Sequence, residues 1–221
     1  MQNNVITGAN AESILSTNKL IRNTYILLSI TLLFSAFTAA ISVLLRMPPS
    51  TYLFSIGGAF LLMWFVLPKT ANSTSGIGVV FLITGLLGFS LGPILNMYLA
   101  LPNGPQIVAT ALGGTGIIFL GLSVYALTTK KDFSFLGGFL FVGFLVVLGA
   151  AILNIFMTIP ALSLALSAAI VMLMSGFILF DTSRMINGGI DNYVLATIQL
   201  YMNIFNLFIS LLHLLGFSRS D

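Results

Sequence analysis

Residues 193–217 read YVLATIQLYMNIFNLFISLLHLLGF. This run is long enough to cross a bilayer as a helix, for which roughly 20 residues suffice. Yet it carries Gln199, Asn203, Asn206, Ser210 and His213, spaced four, three, four and three residues apart. At 1.5 Å per residue that spacing sets all five on one stripe of a helix, about 20 Å long. Lipid cannot solvate the stripe, because each unpaired polar group in hydrocarbon costs several kcal/mol. The pattern therefore predicts a helix enclosed by the other spans of a bundle. Two uses of the stripe follow: hydrogen bonds that hold helices together, or a closed polar path across the membrane. His213, near the outer end, can titrate, but a lone histidine with no carboxylate or thiolate cluster reads as a hydrogen-bonder rather than a metal ligand.

The rest of the chain supplies such a bundle. Of 221 residues, 58% are hydrophobic and 6% charged, with a mean hydropathy of +1.10, where soluble domains carry about a quarter charged residues. The class is an all-α, multi-pass membrane protein whose surroundings are the lipid bilayer. Cysteine is absent, which excludes disulfides, thiolate metal sites and cysteine nucleophiles. No metal motif is present, so neither a metal nor a cofactor is expected, and no nucleic-acid partner. The N-terminus, MQNNVITGANAESILSTNKL, lacks the basic start and short apolar core of a cleaved signal peptide.

Seven apolar runs qualify as spans: Tyr25 to Leu45, Tyr52 to Leu67, Gly76 to Leu99, Pro105 to Leu127, Phe135 to Phe156, Ala161 to Ile186 and Tyr193 to Phe217. They are separated by turn residues or charges, among them Pro48 with Pro49, Pro68 with Lys69, "LPNGP", "TTKKD", Pro160 and "NGGIDN". Residues 1–22 are expected to form a flexible polar cytoplasmic tail, and 23–218 a seven-helix transmembrane domain. Alternating the loops puts Lys19, Arg22, Lys69, Lys130, Lys131 and Arg184 on one side, against Arg46 and Arg219 on the other. Basic residues near span ends stay cytoplasmic. This places the N-terminus in the cytoplasm and the C-terminus outside.

In "GFILFDTSRMINGG", residues 176–189, a carboxylate closes the sixth apolar run. Asp181 falls about 9 Å before the cytoplasmic helix end, six residues at 1.5 Å each. It can pair with Arg184 at i+3, or turn inward against Asn203, because intramembrane carboxylates face the bundle interior. "GFSLG", Gly88 to Gly92, matches the G-x-S-x-G signature of serine hydrolases. That signature needs a strand-to-helix elbow, whereas here it lies inside an apolar helical run, where Gly88 and Gly92 make a small-residue packing face. A hydrolase built on Ser90 and His213 is the weaker reading.

"FDTSRMINGG" followed by "DNYVLATIQLYMNIFNLFISLLHLLG" resembles the closing signature of the Bax inhibitor (transmembrane Bax inhibitor motif) family. There a Phe/Tyr-Asp-Thr element ends the sixth helix, and L-Y-x-x-x-x-N-L-F forms the seventh. "LSTNKLIRNTYILLSITLLFSAFTA", "LGPILNMYL" and "LTTKKDFSFLGG" extend the likeness, towards a bacterial subfamily of modulators of the FtsH protease. The resemblance implies a seven-helix bundle with the last helix central, in the bacterial inner membrane. It also implies a non-enzymatic protein that binds and restrains FtsH. Family members read as pH-sensitive calcium leaks use two aspartates, one at the position of Asp181 and one on the seventh helix. Here Asn203 holds the second position, and an amide cannot share a proton between two carboxylates. The departure favours protease modulation over a Ca2+ leak through the stripe, in which Asp181 would bind the cation only weakly.

Overall fold

The computed structural model describes residues 2–217, with side chains from Leu15 onward. Among these residues the chain forms seven helices long and apolar enough to cross a membrane, and no strand. They are α1 (Gln2–Leu44), α2 (Ser50–Thr70), α3 (Thr74–Leu99), α4 (Gly104–Thr129), α5 (Leu136–Met157), α6 (Pro160–Ile186) and α7 (Tyr193–Phe217). The ends follow local chemistry. Pro105 and Pro160 sit in first turns, where the missing N–H is no loss. Arg46, Lys130 and Thr158 lie just past helix ends in the left-handed conformation that stops a helix.

Two boundaries differ from the sequence reading by more than two residues. The first helix begins at Gln2 rather than near Tyr25. The side chains of the first 14 residues lie outside the described ones, and the flexibility expected of the 1–22 tail stands as a proposal. The second span does not stop at Pro68 but continues to Thr70. Proline lacks an N–H and its ring clashes with the carbonyl four residues back. The helix accommodates it by widening into a π-helical turn at Leu62–Val66, where the Leu67 N–H reaches back to the Leu62 carbonyl.

The most extensive contact joins α1 and α3. It depends on glycines of α3: a Cβ at Gly88 would collide with the Ser35 carbonyl and Thr38 Oγ1, and one at Gly92 with the Ser42 side chain. Close approach of backbones across small residues is how helices gain packing in lipid, where no hydrophobic force drives them together. The backbone of α7 meets α1, α3, α4 and α6, not all six other helices as the stripe had suggested. The reason is that the backbone of α2 comes close only to α3, and that of α5 only to α6, from which a two-residue turn separates it. Burial follows this order: 56% of the apolar window is buried in both α3 and α7, against 6% in α5.

Candidate functional site

Helix α6 ends where Asn187 leaves helical geometry and Gly188 takes a positive φ of 79°. The Gly189 N–H then closes back onto the Arg184 carbonyl at 2.7 Å. One turn earlier stand three consecutive polar residues, Asp181, Thr182 and Ser183, all buried. Successive residues on a helix point about 100° apart, so each meets a different neighbour. Asp181 Oδ2 accepts a hydrogen bond from Asn203 Nδ2 of α7 at 2.7 Å. Thr182 Oγ1 lies 3.5 Å from the Tyr25 hydroxyl of α1. Ser183 Oγ donates to the Lys131 carbonyl at 3.2 Å and accepts from the Phe133 N–H at 2.9 Å, anchoring the α4–α5 loop. In that loop the Ser134 hydroxyl and N–H hold the exposed Asp132 carboxyl below its ordinary range.

The partner of Asp181 is thus Asn203, 22 residues along the chain, rather than Arg184 three residues on. Arg184 donates from Nη2 to the Gly189 carbonyl at 2.8 Å and lies 5.4 Å from the centre of the Phe180 ring. Asp181 and Arg184 line a cavity of about 400 Å³ that also takes in Gln199, Asn203 and Asn206. Met63 of the π-helical turn and Phe144 of α5 form part of its apolar wall. Gln199 Oε1 is buried without a hydrogen-bond partner, and Asn206 Nδ2 is tied to the Met202 carbonyl of its own helix at 2.8 Å.

The α7 stripe is divided. Gln199, Asn203 and Asn206 face this cavity, whereas Ser210 and His213 do not line it. Ser210 is buried. His213 Nδ1 lies 2.7 Å from Ser167 Oγ. The Ser167 hydroxyl also reaches the Ser163 carbonyl at 3.0 Å. Ser90 is fully buried in α3 and donates to the Leu87 carbonyl at 2.6 Å. The structure therefore gives Ser90 and His213 separate partners and assembles no nucleophile–base pair from them. Among the described residues no three His, Cys, Asp or Glu side chains group as metal ligands.

Three residues that the sequence reading passed over tie the site to its surroundings. Asn192 donates to the Ala71 carbonyl at 2.9 Å and to Asn72 Oδ1 at 2.6 Å, fastening the α2–α3 loop to the start of α7. Its Oδ1 accepts from the N–H groups of Val194 and Leu195, the N-cap of α7. Asparagine just before an apolar run is the sequence signal for such a cap. Tyr201 is buried beneath α1 with its hydroxyl 2.5 Å from Ser35 Oγ and 3.3 Å from the Thr84 carbonyl. Ser183 carries no signal beyond its place beside Asp181.

Comparison with known proteins agrees with this arrangement of motifs. The family model described as "Inhibitor of apoptosis-promoting Bax1" matches residues 17–220. The chain is 50% identical, over 95% of its length and 94% of the relative, to a protein of Escherichia coli K12 named modulator of FtsH protease YccA. It is 49% identical, over the same shares, to an uncharacterized membrane protein of Vibrio cholerae. A Pseudomonas aeruginosa protein of uncharacterized function is 48% identical over 91% of this chain and 90% of its own. Seven apolar helices, a Phe-Asp-Thr element closing the sixth and matches of this extent together assign the fold family: the chain belongs to the Bax inhibitor family of multi-pass membrane proteins.

Proposed function

We propose that this chain is a non-enzymatic inner-membrane protein that binds and restrains the ATP-dependent protease FtsH in membrane-protein quality control. The observation that carries the reading is the 50% identity, along nearly the whole of both chains, to a relative named as a modulator of that protease. A second E. coli relative with the same identity is named an inner membrane protein. The geometry supports the reading through Asn203. Asp181 is bonded to an amide, which cannot share a proton with it as a second carboxylate would. In the proposed arrangement the N-terminus is cytoplasmic, the C-terminus periplasmic, and α7 the axis of the bundle. Crosslinking in native membranes should capture FtsH. Deleting residues 2 to 16, the proposed handle for the protease, should lengthen the lifetime of this protein in cells that contain FtsH. Capture of no protease, together with an unchanged lifetime, would remove the assignment.

One observation favours a second reading, a cation or Ca2+ leak. The 400 Å³ cavity gathers the Asp181 carboxylate, the Asn203 amide and the unpartnered Gln199 carbonyl oxygen. Against it, the cavity takes in three of the five stripe residues and ends before Ser210. Purified protein in calcium-loaded vesicles separates the two readings, because a leak needs no partner.

A further inference from the structure

A second cavity, of about 380 Å³, lies on the other side of α7, between α1 and α4. These two helices do not approach each other closely along their length. Ala36, Ala39 and Ala40 of α1 face Leu112, Thr115 and Gly116 of α4 across the gap, and Tyr201, Phe205 and Phe208 of α7 form its floor. Small residues on the walls keep it open, and no atom lies within 4 Å of where a Cβ on Gly116 would be. Ala36, Ala40 and Leu112 are exposed, so the cleft opens sideways, near the middle of its helices. Towards the Tyr25 end of α1, the Phe119 ring that lines the cleft lies 6.1 Å from the Tyr25 ring.

We propose that this cleft is a binding site for a single acyl chain of a membrane lipid. Every hydroxyl in its wall is already satisfied: Ser35 by Tyr201, Tyr201 by the Thr84 carbonyl and Thr115 by the Ala111 carbonyl. Nothing in the wall therefore calls for a polar ligand or for water. A dry apolar cavity of about 150 Å³ already takes up benzene. A transmembrane helix from another protein is too thick. One helical turn, about 10 Å across and 5.4 Å tall, sweeps out roughly 400 Å³ and would fill the whole cleft with a single turn. An acyl chain is the thin, apolar molecule that the bilayer supplies at this depth.

The chain contains one tryptophan, Trp64, which is 77% exposed on α2. Phe205→Trp in a Trp64→Phe background puts the probe on the cleft floor, a site only 7% exposed in the protein. In vesicles of phosphatidylethanolamine and phosphatidylglycerol brominated at mid-chain, its fluorescence should be quenched comparably to that of Trp64 in the parent. Adding Gly116→Leu and Ala36→Leu, which fill the cleft, should abolish the quenching while leaving the helical circular dichroism intact. Absence of quenching in a folded Phe205→Trp protein overturns the proposal. Quenching that survives the filling substitutions does the same, and so does quenching that falls as more protein is packed into each vesicle, the mark of a second copy in the cleft. Should Phe205→Trp not fold, lipid retained through detergent purification is counted by mass spectrometry. A lipid held by the parent must be lost in Gly116→Leu, and equal retention overturns the proposal.

Discussion

Asn203 of α7 donates its side-chain N–H to the carboxylate of Asp181 on α6 at 2.7 Å, with both residues less than 10% exposed. The bond joins the two most extensively paired helices after α1 and α3. The two partners are unequal in what their loss leaves behind. Asn203→Leu strands a buried carboxylate, for which removing the partner of a charged group costs about 2–3 kcal/mol or more. Asp181→Asn keeps an acceptor of the same shape facing Asn203, and should cost about 1 kcal/mol or less. Thermal unfolding in detergent should therefore rank Asn203→Leu well below Asp181→Asn. The reverse order would mean that Asp181 is held chiefly by the charge of Arg184.

Gly88 and Gly92 leave no room for a side chain against α1, whereas Gly113 and Gly121 of α4 have no atom near the position of an added Cβ. Gly92→Leu should destabilise by about 1–3 kcal/mol through overpacking. Gly121→Leu, on an exposed face, should be close to neutral. Unfolding midpoints of the pair measure the difference. Equal values would show that α1 and α3 are not packed as described.

The four hydrogen bonds of Asn192 combine a helix N-cap with a clasp between the α2–α3 and α6–α7 loops. Asn192→Ala should cost about 1–2 kcal/mol from the cap. It should also raise amide exchange at Val194 and Leu195, the groups it caps, while leaving exchange in mid-α7 unchanged. Exchange that rises equally along the whole of α7 would instead assign Asn192 to global stability.

Orientation is open to a direct measurement. With six basic residues on the N-terminal side and two on the other, a reporter active only outside the cytoplasm should work when fused after the last residue. Fused after Lys131, in the α4–α5 loop, it should be silent. The opposite pattern would invert the bundle in the membrane.

Span count and most span ends were legible in the chain because each membrane helix satisfies its own backbone, which makes apolar length and its interruptions local signals. The seventh span runs from Tyr193 to Phe217 in both the sequence reading and the structure, and the packing role of Gly88 and Gly92 followed from their spacing alone. Proline misled at α2, where the remedy for Pro68 is a widened turn that no local pattern announces. What only the tertiary structure decided is which neighbour each polar group meets. Asp181 had two possible partners in the sequence, and the rotation of α6 against α7 chose Asn203 and left Arg184 to the Gly189 carbonyl. The same packing divided a continuous stripe between one cavity and a contact with Ser167. It also parted α1 from α4 and left α5 on the outside. In lipid, a helix face turned to the bundle and one turned to the bilayer are equally apolar. Hydropathy therefore carries no record of lateral position, and only the fit of small residues and the pairing of scattered polar groups across helices determines it.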